Sequence, residues 1–384
     1  MKIIKLSHIS SGFIAVLIGY SSSVAIIFQA ATAAGAGQEV INSWLLALGL
    51  GMGLSSIGLS LYFKSPILTA WSTPGAAMLA TALVNVPMSE AVGAFLLSGL
   101  LITLSGLSGS FERLSKIIPP AIAAAMLAGV LLPFCLEIFT NLQQEFVLVA
   151  SMCAAYLIGK RYFSIYAIPL VLLVGVLLSW KLGLFESETI DLRLASFFYT
   201  APSFSITSLI SIAIPLFIVT MTSQNMPGIA VMETAGFKPP LSPIITTTGI
   251  TTILLAPFGG FAFNLAAITA AICMEEDTDK NRKTRYLAAV SAGIFYLLAA
   301  LFGATIVALF SISPKALVLS LAGLALLGTL GNCLSQALDK PQHREAALIT
   351  FLVASSGVVF LGIGAAFWGL VSGLFVQLVM NRRC

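Results

Sequence analysis

Apolar residues fall into fourteen runs separated by short polar breaks. They lie near 11–33, 40–63, 65–84, 89–110, 117–139, 145–159, 163–183, 206–232, 241–256, 258–274, 285–311, 315–336, 345–361 and 363–380. A run of about 20 apolar residues reads as a membrane-spanning helix. Several of these runs are shorter, and residues 241–274 would have to cross twice in 34 residues, so some passages depart from a regular helix. The pattern predicts an all-α polytopic membrane protein with 14 transmembrane segments. The run from Gly12 to Ala31 follows Lys2 and Lys5 but is longer than the 7–15 residues typical of a signal-peptide core, so it is read as the first span.

The third run, Ser65 to Leu83, carries a helix start in its own middle. Ser72 and Thr73 suit an N-cap and Pro74 suits the first helical turn, whereas Pro66, Ile67 and Thr69 favour extended chain. A segment half extended and half helical leaves backbone N–H groups unpaired at mid-depth. Hydrocarbon does not tolerate them, so they must face protein, water or a ligand.

An internal repeat locates a counterpart. At an offset of 194, Gly99, Gly109, Pro120 and Gly129 match Gly293, Gly303, Pro314 and Gly323, and Leu127-Ala128-Gly129 recurs as Leu321-Ala322-Gly323. The halves are 1–194, with spans 1–7, and 195–384, with spans 8–14. Seven spans is an odd number, so the second copy enters from the opposite side, the inverted-repeat arrangement of secondary transporters. The third span of the second half falls on Ala256 to Asn264, again interrupted by Pro and Gly, with a helix expected to begin near Gly260. The first span of each half is interrupted too, by Gly19-Tyr20-Ser21-Ser22-Ser23 and by Thr222-Ser223-Gln224-Asn225-Met226-Pro227-Gly228.

Composition supports the membrane reading: only 9% of the 384 residues are charged and 58% are hydrophobic, too few ions to solvate the surface of a soluble domain. The net charge of +4 therefore says little about nucleic acid, and no nucleic-acid partner is expected. Its distribution is informative. With fourteen spans, sixteen Lys and Arg fall on the side of the N-terminus, and only Lys181, Arg193 and Lys315 on the other. The positive-inside rule then puts both termini in the cytoplasm. The five cysteines are scattered without ligand spacing and read as small packing residues. His8 and His343 flank the runs, and no nucleophile or metal cluster is present. No enzyme, cofactor or metal is expected.

Two helix N-termini meeting at mid-membrane can hold an anion without a positive side chain, and none of the four interrupted segments contains Lys or Arg. Tyr20, Trp71, Phe258, Phe261 and Phe263 flank the breaks, offering flat apolar surface. Together they suggest a small aromatic or apolar carboxylate. Binding candidates are Tyr20, Ser22, Gln29, Trp71, Ser72, Thr73, Gly75, Gln224, Asn225, Gly259, Gly260, Phe261 and Asn264. Each serine of Ser21 to Ser23 equally suits a bond to the preceding turn, and the aromatics equally suit packing. Gln224 and Asn225 are harder to account for that way, because adjacent amides within a span are costly unless satisfied.

The segments GYSSSVAIIFQAA (19–31), SPILTAWSTPGAA (65–77), PLFIVTMTSQNMPGIA (215–230), AAITAAIC (266–273) and GIGAAFWGL (362–370) resemble the benzoate:proton symporter (BenE) family along essentially the whole chain. The resemblance implies a bacterial inner-membrane transporter with the seven-plus-seven fold of nucleobase:cation symporters and sulfate permeases. In that fold, often dimeric, a core domain of spans 1–4 and 8–11 (about 11–110 and 206–311) moves against a gate domain of spans 5–7 and 12–14 (about 117–183 and 315–380). It places substrate between spans 3 and 10. The nucleobase symporters carry glutamates in spans 8 and 10, whereas here Gln224, Asn225 and Phe263 stand nearby, so no proton-coupling residue carries over. Glu137 and Glu233, near span ends, are the remaining candidates for the proton. A nucleobase or inorganic-anion transporter of the same fold, or a passive anion channel, is the alternative reading.

Overall fold

The structure, a computed structural model, describes residues 4–109, 119–185, 194–238 and 240–381. Lys2, Arg113, Lys116, Arg193, Arg382 and Arg383, which carry part of the expected charge asymmetry, lie outside the described residues.

The chain is mostly helical. In the first half the elements are α1 (Leu6–Ala33), α2 (Gln38–Phe63), β1 (Thr69–Ala70), α3 (Thr73–Ala82), α4 (Met88–Ser108), α5 (Pro120–Gln144), α6 (Phe146–Tyr162) and α7 (Ala167–Lys181). The second half has α8 (Ile206–Thr234), α9 (Leu241–Leu255), β2 (Asn264–Leu265), α10 (Ile268–Met274), α11 (Tyr286–Leu301), α12 (Gly303–Ile312), α13 (Lys315–Leu338), α14 (Arg344–Ser355) and α15 (Ala365–Asn381). Every apolar run of the sequence holds helix. Among the described residues, eight helices are long and apolar enough to cross a membrane.

Close helix crossings are made where side chains vanish. A Cβ at Gly99 of α4 would lie 3.0 Å from the Thr252 Cβ of α9, and one at Gly293 of α11 would lie 2.5 Å from the Ile57 Cγ1 of α2. Helices surrounded by lipid gain little from burying apolar area against one another, so close backbone approach through small residues does the packing. The two glycines matched by the sequence repeat thus serve corresponding crossings, α4 on α9 and α11 on α2.

Both half-extended segments are present, and they pair. Thr69 and Ala70 oppose Leu265 and Asn264 in a two-residue antiparallel ladder, extended by Ala266 N–H donating to Leu68 O at 2.9 Å. The α2 hydroxyls satisfy the first strand: Ile67 N–H donates to Ser60 Oγ (3.1 Å), Thr69 N–H to Ser56 Oγ (2.9 Å), and the Thr69 hydroxyl to Met52 O (3.0 Å). Helix α3 then starts with Ser72 as N-cap, its Oγ accepting from Gly75 N–H at 3.0 Å, and with Pro74 in the first turn.

The second segment departs from expectation. Its helix starts at Ile268, not near Gly260. Gly259 (φ 92°) and Ala262 (φ 44°) lie in the left-handed region, which breaks any helix from Gly260. Beyond them, Phe263 N–H donates to Thr252 Oγ1 (3.1 Å) and Leu265 N–H to Asn225 Oδ1 (2.9 Å), which keeps the chain out of a helix until Ile268.

The start of α1 is tied to the loop after α10. His8 lies in the first turn of α1, fully buried, rather than outside the spans. Its Nδ1 accepts from Lys5 N–H (3.1 Å), which leaves Nε2 to carry the proton and donate to Asp279 Oδ2 (3.0 Å). Lys5 Nζ and the Thr284 hydroxyl donate to the same carboxylate, while Arg285 Nη1 donates to Met274 O (2.6 Å), on the last residue of α10.

Candidate functional site

A cavity of about 690 Å³ opens beside the strand pair, within the roughly 300–1,000 Å³ usual for small-molecule sites. One wall comes from α1, α2, α3, α8, α10 and α11, the other from α5, α6, α7 and α13. The first wall carries both breaks, so the cavity meets the chain where backbone donors are available.

Four of the residues proposed from the sequence line it: Ser22, Trp71, Thr73 and Gln224. Trp71 is buried, donates Nε1–H to Ser23 Oγ (2.9 Å) and packs edge-on against Tyr20 at 4.9 Å between ring centroids. Ser22 Oγ donates back to Gly19 O, the bond to the preceding turn that serines in helices favour. Gln224 is half-buried and, among the described residues, its amide bonds to no protein group. It sits in a π-helical turn, Met221–Asn225, where Met226 N–H reaches back five residues to Met221 O. Pro227 follows in the first turn of the resumed α-helix and lacks an N–H, so it cannot supply a rung of the ladder there. The widened turn projects Thr222, Ser223 and Gln224 together into the cavity.

Nine candidates stand outside the lining. Tyr20 lies behind Trp71, with its hydroxyl buried and without a partner among the described residues. Ser72 and Gly75 satisfy one another in the α3 cap. Asn225 is fully buried and anchors β2 through Leu265 N–H, while its Nδ2 meets Met221 Sδ at 3.1 Å. Asn264 Nδ2 donates to Ala262 O. Gln29 is half-buried further along α1, its Nε2 unpartnered among the described residues. Phe261 packs against Trp44 and Phe95 at 5.7 and 5.4 Å. Gly259 and Gly260 turn the chain beneath this cluster, and a Cβ at Gly259 would lie 1.8 Å from Trp44 Cδ1. Glu137 and Glu233 are exposed and also outside the lining.

The backbone donors differ between the two breaks. At α3, Gly75 N–H is taken by Ser72, Pro74 has none, and Thr73 is the residue that faces the cavity. At α10, Ala267 caps without a side-chain bond, and Ala266, Ala267, Ile268 and Thr269 all line the cavity. Its first-turn N–H groups are the more available.

Sequence reading missed several lining residues. Tyr296 of α11 and Thr269 of α10 meet Gly19, and a Cβ there would lie 3.3 Å from the Tyr296 hydroxyl. Tyr156 and Lys160 of α6, with Thr329, Asn332 and Gln336 of α13, come from the opposite wall. Their spacing, four along α6 and three then four along α13, was the available signal. Among the described lining residues there is no carboxylate, and Lys160 is the cation.

A cavity between two broken segments, on helices crossing a membrane, is the architecture of a solute carrier. The family model described as "Benzoate membrane transport protein" matches residues 2–379. The chain belongs to the BenE family. It is 46% identical over 371 residues to "Inner membrane protein YdcO" of Escherichia coli (strain K12), covering 97% of this chain and 95% of that one. It is 40% identical over 377 residues to the "Benzoate membrane transport protein" of Acinetobacter baylyi, covering 98% and 96%. Membership of BenE makes it a membrane transporter and not an enzyme. Among solved structures it shares its fold with the transmembrane domain of the cyanobacterial bicarbonate transporter BicA, with TM-score 0.62, 15% identity and coverage of 97% and 96%. It shares it also with SLC26A9, with TM-score 0.63, 14% identity and coverage of 97% of this chain and 65% of that one.

Proposed function

We propose that this chain imports benzoate or a similar small aromatic carboxylate across the bacterial inner membrane together with a proton. The observation that carries the reading is the cavity at the two breaks, which combines the indole of Trp71, the free amide of Gln224 and the uncapped start of α10. An aromatic ring would lie against Trp71 and Tyr296, and the carboxylate would accept from Gln224, Thr73 and the α10 N–H groups. Family membership and 40% identity to a benzoate transporter support the same substrate class.

We further propose fourteen spans in two inverted repeats, with α1–α4 and α8–α12 as a core that moves against a gate of α5–α7 and α13–α15, and both termini cytoplasmic. Corresponding crossings at Gly99 and Gly293 support the duplication. The position of the cavity between the two groups of helices supports alternating access. In this state the cavity reaches Lys160 and Gln336, next to loops assigned to the cytoplasm, so the conformation is read as inward-open.

An anion entering against the membrane potential meets a cost of about 2.3 kcal/mol per 100 mV, which one accompanying proton removes. No carboxylate among the described lining residues can carry that proton. Radiolabelled benzoate uptake into proteoliposomes under an imposed pH gradient tests the proposal. Saturable accumulation that collapses with a protonophore is expected. Uptake of uracil or sulfate instead, or an ohmic current without accumulation, would overturn it in favour of a relative of the same fold or a passive channel.

A further inference from the structure

We propose that Lys160, Asn332 and Gln336 form a second carboxylate-binding station at the mouth of the cavity, on the wall facing the two breaks. The inference rests on the aromatic-carboxylate reading above and adds a place where the anion pauses between the inner site and water.

Lys160 stands in the last turn of α6, exposed at the mouth of the cavity it helps to line. No carboxylate lies within ion-pair distance of it among the described residues, and Nζ stands over the Tyr156 ring at 5.9 Å. It also approaches α13, since a Cβ at Gly328 would lie 3.6 Å from Nζ. Asn332 and Gln336 follow one and two turns along the same face of α13, and both line the cavity. A pair of amides on one face of α13 therefore runs outwards from beside an unpaired ammonium. Among the described residues, no hydrogen bond within the protein engages the Asn332 or Gln336 side chains, so their amide N–H groups are free to complete a carboxylate's hydration shell.

The neighbouring Arg161 supplies an internal control. Its guanidinium lies over Tyr162 at 5.6 Å, and it does not line the cavity. Any effect of general surface charge would be shared by both residues, and an effect of the station would belong to Lys160 alone.

Because Lys160 is exposed, its attraction is screened by salt and acts on capture more than on tight holding. Radiolabelled benzoate binding to the purified full-length protein, at low and at high ionic strength, tests the station. Wild type is expected to show a tight class and a weaker, salt-sensitive class. Lys160→Gln should lose the weaker class, Lys160→Arg should retain it, and Arg161→Gln should match wild type, all with unchanged melting temperature. A Lys160→Gln isotherm superimposable on wild type, or equal losses in Arg161→Gln, overturns the station while leaving the inner site intact. Failure of wild type to bind benzoate at all overturns the carboxylate reading and the station with it.

Discussion

The two broken segments look alike in sequence and are held in different ways. The first is a self-contained device: Ser72 caps its own helix, and hydroxyls of the preceding helix α2 satisfy its strand. The second is supported from a distance, by Thr252 of α9, Asn225 of α8 and the ladder to β1. Its helix is only seven residues long and lacks a side-chain cap. The local device spends its N–H groups on protein, whereas the borrowed one keeps its first turn open to the cavity. In such a pair, the more weakly capped member leaves more N–H donors free, which is why the proposed carboxylate site is assigned to α10.

The largest effect is expected where the second segment turns. Gly259 has φ 92°, and an added Cβ would meet Trp44 Cδ1 at 1.8 Å. Gly259→Ala combines left-handed strain of about 1–2 kcal/mol with overpacking of about 1–3 kcal/mol. Loss of monodisperse protein by fluorescence-detected size exclusion should follow, and a wild-type elution profile would show the turn to be less constrained than its geometry implies.

Next comes the direct contrast between the two anchors. Asn225→Ala leaves Leu265 N–H unsatisfied in a fully buried place, which costs about 1–3 kcal/mol. Ser72→Ala removes an N-cap, typically about 1 kcal/mol. Thermal unfolding in detergent should rank Asn225→Ala below Ser72→Ala, and benzoate transport should suffer more in the first. The reverse order would make the locally capped segment the critical one.

Binding separates the segments more finely. Gln224 faces the cavity without a protein partner, whereas Ser21 donates to Ile18 O and is buried outside the lining. Loss of one hydrogen bond to a charged ligand is worth about 1.5–3 kcal/mol. Gln224→Ala should thus weaken benzoate binding roughly 10-fold or more, with Ser21→Ala close to wild type, as read by equilibrium binding. Equal small effects would remove α8 from the site.

What could be read in advance follows the same division. The Ser72 start was legible because a cap, a proline and β-branched neighbours are all local signals. The α10 start was not, because the extension through Asn264 is imposed by Thr252 and Asn225, which lie 11 and 40 residues away from the groups they hold. Gln224 and Asn225 announced themselves as costly amides, yet the sequence could not divide them into one that faces the cavity and one that anchors a strand. Lys160 is one of the sixteen cations counted on the side of the N-terminus, and only the packing of α6 against α13 brings it to the cavity. The π-helical turn at Met221–Asn225 had a signal, Pro227, that was noticed as an interruption without its geometric consequence.

The far ends of the two helices extend the comparison to its smallest expected effect. Helix α10 is clamped beyond its C-terminus: Arg285 donates to Met274 O, and Asp279 gathers Thr284, Lys5, Asn281 N–H and His8. The Thr284 hydroxyl bond, followed by the Lys5 bond, holds the Asp279 carboxyl well below the usual carboxylate range. A carboxyl group depressed in the folded state contributes stability above its unfolded pKa of about 3.9, and that contribution is lost as pH falls towards the folded value. Asp279→Asn should therefore lower the melting temperature by a few degrees at neutral pH. The gap from wild type should stay constant down to about pH 5 and narrow only below about pH 4. Helix α3 ends at Leu83 with a backbone bond to Leu79 O and no ion pair among the described residues, so a charge-neutral change there should leave the acid limb unaltered. A gap that closes already between pH 7 and 5 would assign the acid sensitivity to another group and leave α10 held by its strand contacts alone.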